Sequence, residues 1–322
     1  MSPPPGARPL SLLALILLLL SNSLQAAAPN VLASIGPIHS LVAGVMAGVG
    51  EPELLIRGGD SPHSFTLRPS SARKLNRAAL IFWVGESLES PLKSILSTVD
   101  GRVVELLAAE GIRIPPSRRA GVWKSETTDE DRPDNGDNDA DHDQAELRHH
   151  HEGDPHIWLS PDNGVVIVTL IEHELSTIDP DNAEHYRNNA EHLRQRIRQL
   201  DATLAQRLSA VGKQPYIVFH DAYQAFEKHY GLNAIGSVTL TPDRMPGAKR
   251  LHQLRKRIDE QGARCLFSEP QFKPKLIHTL VDGTEAKSGL LDPLGSDLTA
   301  GPDAYFELME NLADALVNCL GR

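Results

Sequence analysis

Fourteen histidines are spread through the 322 residues, and three of them stand where a chain can use an imidazole for chemistry. His63 lies in the Gly/Pro-rich loop "GGDSPHSFTLRPS", His156 in the tight stretch "DPHIWLSP", and His220 at the end of the apolar run "YIVFH". If the three converge, their nitrogens favour Zn²⁺, with bonds of about 2.0–2.1 Å, over Mn²⁺ or Ca²⁺, which take more carboxylate oxygen. Each ring then needs an outer partner to fix its tautomer, and Asp154, Asp221 and Glu269 are the candidates. Spacing alone does not establish convergence, and three unrelated loop histidines is the competing reading. His173, His185, His192, His252 and His278 lie in helical patterns, where exposed histidine is ordinary; His39 and His229 also fall at or in helices.

The elements that must position these residues alternate along the chain. "NVLASI", "PELLIR" and "ALIFWVG" read as buried strands, with the helical segments "IHSLVAGVMAGVG" and "PSSARKLNRA" between them, the latter capped by Ser70 or Ser71. Further on, "PYIVFH", "NAIGSV", "ARCLFSE" and "SGLLDPL" are strand-like and are separated by three more helical patterns. Strands alternating with helices predict an α/β class with parallel sheets. Such sheets bind ligands at the carboxyl ends of their strands, where His63, His156 and His220 fall.

Between the two halves, Asp179-Pro180 opens a helix whose apolar residues Ala183, Tyr186, Ala190, Leu193, Ile197, Leu200, Leu204 and Leu208 recur at spacings of three and four. About thirty residues of helix span roughly 45 Å, enough to brace two lobes as a spine. A coiled-coil arm is the competing reading, but the stripe is short and carries alanines. The expected division is an N-terminal lobe over 29–178, the linker helix over 179–210 and a C-terminal lobe over 211–322. A rigid spine implies small lobe movements.

The ends and the composition limit the function. Arg8, the apolar run Leu10–Leu20 and the small residues Ala26-Ala27-Ala28 have the order of an export signal over residues 1–28. The run is too short for a comfortable bilayer span, and no cysteine stands at the expected cut, so a soluble exported chain is expected. A net charge of −10 argues against nucleic acid as partner. From Ser125 to Asp154 there are twelve acidic residues and two arginines, with Ala140, Ala145 and Leu147 the only apolar side chains. Residues 124–152 are therefore read as a disordered loop, because they cannot bury enough surface to offset ordering entropy. His142, His149, His150 and His151 make that loop a flexible auxiliary metal binder or, more plainly, a solvated segment. Cys265 and Cys319 are the only cysteines. In an oxidising compartment such a pair reads as a disulfide, which would close a loop of about 55 residues and contribute roughly 4 kcal/mol, though sequence does not bring the sulfurs together.

At the motifs "SPHSFTLRPS", "DPHIWLSP", "VFHDAYQAFEKHYGL", "FSEPQF" and "LDPLG", taken in this order with the internal His-rich loop and the cysteine pair, the chain resembles the periplasmic zinc-binding receptors of zinc ABC importers. That family belongs to a wider cluster of metal receptors that includes manganese receptors and adhesin-like lipoproteins. The resemblance covers essentially the whole exported chain. It implies a two-lobe receptor with a long linker helix, monomeric, which carries Zn²⁺ between its lobes to a permease driven by an ATPase. It places His63, His156 and His220 on the three ligand positions. Family members often carry an acidic residue just before the first of these, but here Pro62 stands there, so the fourth ligand is water or Asp292, in that order.

Two rival classes remain. A zinc hydrolase needs a general base and usually an H-E-x-x-H arrangement; "EHEL" fails because Thr177 occupies the second histidine position, although Glu269 could serve as a base. A manganese or iron receptor of the same architecture is the other, and the third histidine, where a carboxylate is expected, speaks against it.

Overall fold

The computed structural model describes residues 28–118, 153–239, 246–272 and 275–321. The N-terminal half lays down β1 (Val31–Ala33), α1 (Gly36–Met46), β2 (Glu53–Leu54), α2 (Pro69–Arg77), β3 (Leu80–Trp83), α3 (Lys93–Leu96) and β4 (Arg102–Glu105). Its four strands are parallel in the order β2-β1-β3-β4, with Leu32 beside Ile81 and Ile81 beside Val103. β1 and β3 are central, and every residue in both is buried, as continuous apolar strands covered on both faces must be. β2 is an edge, and only half-buried rather than the buried strand expected of "PELLIR".

α2 begins one residue earlier than its serines suggest. Pro69 takes the first helical position with Arg68 as the extended residue before it, so neither Ser70 nor Ser71 is the cap. Proline wins because its fixed φ suits the first turn and its missing N–H needs no partner there.

After β4 the chain returns through a 3₁₀ turn at Ile157–Leu159 into α4 (Pro161–Ile178). Here a serine does cap the helix: Ser160 Oγ accepts from Asn163 N at 3.4 Å, with Pro161 in the first turn. Ser160→Ala is expected to cost about 1 kcal/mol, read as a lower urea midpoint at unchanged slope.

The linker is 26 residues of α5 (Ala183–Leu208), about 39 Å long, preceded by a 3₁₀ turn at Pro180–Asn182. Asp179 does not cap it through the backbone; its Oδ2 accepts from Asn182 Nδ2 at 2.9 Å and from Tyr186 Oη at 2.6 Å. Tyr186, Ala190, Leu193, Ile197, Leu200, Leu204 and Leu208 are all buried, while Ala183 is not fully so. The stripe packs on α1 and α4. α1 comes so close that a Cβ on Gly44 would stand 2.9 Å from Leu193 Cδ2, so any side chain there would have to displace Leu193.

The C-terminal half repeats the topology of the first with β5 (Tyr216–His220), α6 (Gln224–Tyr230), β6 (Ala234–Thr239), α7 (Ala248–Gln261), β7 (Cys265–Ser268), α8 (Lys275–Val281) and β8 (Lys287–Leu290). The order β6-β5-β7-β8 is again parallel. β8 ends at Leu290, so the "DPL" of the expected strand belongs to the loop beyond it. The last helix, α9 (Ala304–Leu320), then crosses back to pack on α1 and α5. Tyr305 N donates to Ser40 Oγ at 2.9 Å, and its hydroxyl donates to the Trp158 carbonyl at 3.0 Å. Cys319 on α9 is bonded to Cys265 on β7. One continuous core therefore runs from β1 and β3 through α5 and α9 to Tyr216 and Phe267 of the second sheet.

Candidate metal centre

Each central strand order reverses beside its first strand, and the crevice beyond such a reversal is where α/β sheets hold ligands. His220 is the last residue of β5, and Glu269 follows β7, the neighbouring strand. His63 comes from the loop between β2 and α2, and His156 from the residue before the 3₁₀ turn at Ile157–Leu159. Thus two ligand candidates come from the first half and one from the second.

The three rings meet. Their centroids are 5.4 Å apart for His63 and His156, 5.9 Å for His63 and His220, and 5.2 Å for His156 and His220. One nitrogen of each lies within 4.8 Å of the others, and His156 Nε2 stands 3.4 Å from His220 Nε2. Two nitrogens about 2.05 Å from a shared tetrahedral zinc stand roughly 3.3 Å apart, so this spacing fits one ion between them.

Outer carboxylates set the tautomers. Asp154 Oδ1 lies 2.6 Å from His156 Nδ1, and Glu269 Oε1 lies 2.6 Å from His220 Nδ1. Each acid accepts the Nδ1 proton, so each Nε2 presents a lone pair to the centre. Burial lowers His63 well below the usual imidazole value, and the charges of His156 and His220 push it further down. It is neutral at physiological pH, and its buried Nε2 has no hydrogen-bond partner among the described residues. Burial also acts to lower His220, but Glu269, Asp154 and Asp221 outweigh it and the net direction is up. Trp158 packs its ring 5.3 Å from His156, and Phe272 lies 6.4 Å from His220, so apolar surface shields the centre. This donor set can hold a divalent cation by nitrogen alone.

The family model described as "ZnuA: Zinc-uptake complex component A periplasmic" matches residues 31–319. The chain belongs to the ZnuA family. The high-affinity zinc uptake system protein ZnuA of Brucella suis biovar 1 is 40% identical, with 94% of each chain covered. A crystal structure of ZnuA superposes with a TM-score of 0.73 at 23% identity, covering 91% of this chain and 99% of that one. The SBP FpvC from Pseudomonas aeruginosa, solved in complex with Mn²⁺, reaches 0.74 at 19% identity over 91% of this chain and 99% of that one. The likeness to both solved structures is one of fold.

Within this ZnuA-family chain, two expected roles fall elsewhere. Asp221 does not hold an imidazole: its Oδ1 accepts from Arg118 Nη1 at 3.1 Å, while Arg118 Nη2 reaches Glu227 Oε2 at 2.6 Å. Burial raises Asp221 to about 7, with Arg118 opposing and Glu227 and Asp154 reinforcing the shift. Arg118 has no signal in the sequence, since it stands in no motif and meets its partners across more than a hundred residues. Asp292, a candidate fourth ligand, is not among the clustered groups; its carboxylate accepts from Leu294 N at 3.0 Å and Ser296 N at 2.5 Å. The five helical histidines from His173 to His278 are exposed, and His39 is buried against the Pro52 carbonyl at 3.0 Å. His142, His149, His150 and His151, and the export signal, lie outside the described residues. No helix among the described residues is long and apolar enough to cross a membrane.

Proposed function

We propose that this protein is a periplasmic zinc receptor: it takes Zn²⁺ between its lobes and delivers it to the permease of an ABC importer driven by its ATPase. His63, His156 and His220 hold the ion, with water as the fourth ligand. The observation that carries the reading is the pair of Nε2 atoms 3.4 Å apart, both of whose Nδ1 atoms are fixed by carboxylates. A manganese or iron receptor is less well supported, because no carboxylate oxygen joins the cluster among the described residues. The protein works as a monomer in two lobes, 29–178 and 211–322, about the linker over 179–210, after loss of an export signal over 1–28. It binds and releases its cargo, and performs no chemistry on it.

The deciding experiment is a calorimetric zinc titration of the metal-stripped protein with Lys124–Glu152 deleted. One tight site supports the three-histidine centre and makes the His-rich loop auxiliary. Loss of all tight binding would assign the receptor role to that loop.

Binding should also depend on pH in a defined sense. Zinc competes with protons for imidazole lone pairs, so protonation of any ligand weakens binding. His220 is raised above the ordinary 6.5, and its proton therefore begins to compete before the pH has fallen that far. His63 is lowered and competes only in stronger acid. Below the raised His220 value, apparent affinity should fall by at least about tenfold per pH unit, one decade for each proton displaced. An affinity that stayed flat from pH 8 to 5 would refute this.

A further inference from the structure

Beside the three imidazoles, the pocket wall carries polar groups suited to a fourth ligand of the ion, and their assignment rests on the three-histidine reading. Apart from the imidazoles, side-chain polar atoms reach this wall from Ser61, Glu269 and Gln271. Glu269 is engaged with His220. Ser61 Oγ and Gln271 Oε1 are buried and have no hydrogen-bond partner among the described residues, as is true of His63 Nε2 in the same pocket. Such groups are rare, because burial removes the water they would otherwise bind. The Gln271 amide is oriented from behind: its Nε2 donates to Ser296 Oγ at 2.5 Å and to Asp292 Oδ1 at 3.4 Å. With nitrogen turned to those acceptors, the carbonyl oxygen faces away from them. The remaining wall is Pro62, Phe272, Pro293 and Leu294, which offer no side-chain acceptor.

We propose that Ser61 Oγ and Gln271 Oε1 form a water-holding subsite that supplies the fourth ligand of the ion. A metal-bound water gives its lone pair to the cation and has two protons to donate, and these two oxygens are two acceptors. Ser61 comes from the first lobe and Gln271 from the second, so the bound water ties the lobes when the ion arrives. Asp292 and Ser296 are positioning residues that act through the Gln271 amide. The pair also accounts for Pro62: the site completes its tetrahedron without an acidic side chain at that position.

The test uses the metal-stripped protein and its Ser61→Ala, Gln271→Leu and Gln271→Glu variants. Zn²⁺ affinity is measured by chelator competition, and the visible d–d bands of the Co²⁺-loaded forms report the coordination sphere. Ser61→Ala and Gln271→Leu should each weaken Zn²⁺ about tenfold, the low end of the 10–100-fold typical of outer partners, and shift the Co²⁺ bands. Gln271→Glu keeps an oxygen acceptor and should bind at least as tightly as the parent. Parental affinity and unchanged bands in both truncations would overturn the proposal. So would a lowered apo melting temperature with unchanged bands, which marks a purely structural role. If the parent bound no Zn²⁺, or His63→Ala bound it equally well, the three-histidine reading would fail instead.

Discussion

His63→Ala is expected to lose zinc affinity by roughly a hundred- to a thousand-fold while the metal-free protein melts where the parent does. The magnitude follows from about 10–16 kcal/mol of structural zinc binding shared among four ligands, which is about 2.5–4 kcal/mol each. The unchanged melt follows from the contacts: His63 is only half-buried and its Nε2 has no partner among the described residues to lose. His156→Ala and His220→Ala should lose comparable affinity but behave differently without metal. Each removes the ring that occupies a buried carboxylate, Asp154 in one case and Glu269 in the other. Each buried carboxylate keeps the backbone N–H of the same residue but loses its imidazole, a charged hydrogen bond worth about 1–3 kcal/mol, so these two apo proteins should melt several degrees lower. Calorimetry and apo melts on the three variants check the pattern. Equal melting of all three would mean that the carboxylates do not depend on their imidazoles.

Arg118→Met should be the most destabilising single change outside the core, by about 3–5 kcal/mol, because it leaves Asp221 and Glu227 together without their cation. The loss should depend on pH. Burial already raises both acids, and Arg118 is the chief group that lowers them. Without it both folded values move further above the unfolded ones. Protonation then favours the fold, so the penalty is greatest in base, shrinks as the pH falls through the variant's raised values, and is largely gone once the pH is below the parent's Asp221 value of about 7. Urea unfolding of parent and variant at pH 8 and pH 5 reads the difference. A gap as wide at pH 5 as at pH 8 would show that packing of the long side chain, and not its charge, is what matters.

Much of this site is legible in residue types. His220 ends an apolar run and is followed by a helix, and strand ends are where α/β ligands sit, so its position follows from the pattern alone. Asp154 and Glu269 are also recoverable, because each shares a short motif with a ligand or lies at an equivalent strand end. Asp221 misleads for a physical reason: adjacency in sequence at a strand–helix junction turns consecutive side chains apart, and a distant arginine takes the carboxylate. β4 escapes because Arg102 and Glu105 flank only two apolar residues, too short a run to show a period. The cap of α2 is ambiguous in sequence because proline and serine both favour helix starts, and two serines beside a proline leave the first turn undetermined. The cysteine pair teaches the opposite lesson. Its spacing allows a bridge, but only the return of α9 to β7 brings the sulfurs together.

That return has a consequence for the order in which the molecule can be assembled. The first sheet and α1 are made early in the chain, yet α1, which also packs on α4 and α5, meets α9 only where Tyr305 bonds to Ser40, 265 residues further on. Until α9 arrives, a helix that is almost wholly apolar has one side open, and Trp158 lacks the hydroxyl that accompanies its carbonyl. Contacts so distant along the chain are slow to form, because the intervening loop must be closed before they contribute anything. The first half is therefore an incomplete object on its own. A chain still lacking α9 would lack both the Tyr305–Ser40 contact and the bridge from Cys319 to Cys265, so the far end of the sequence is what closes the near end.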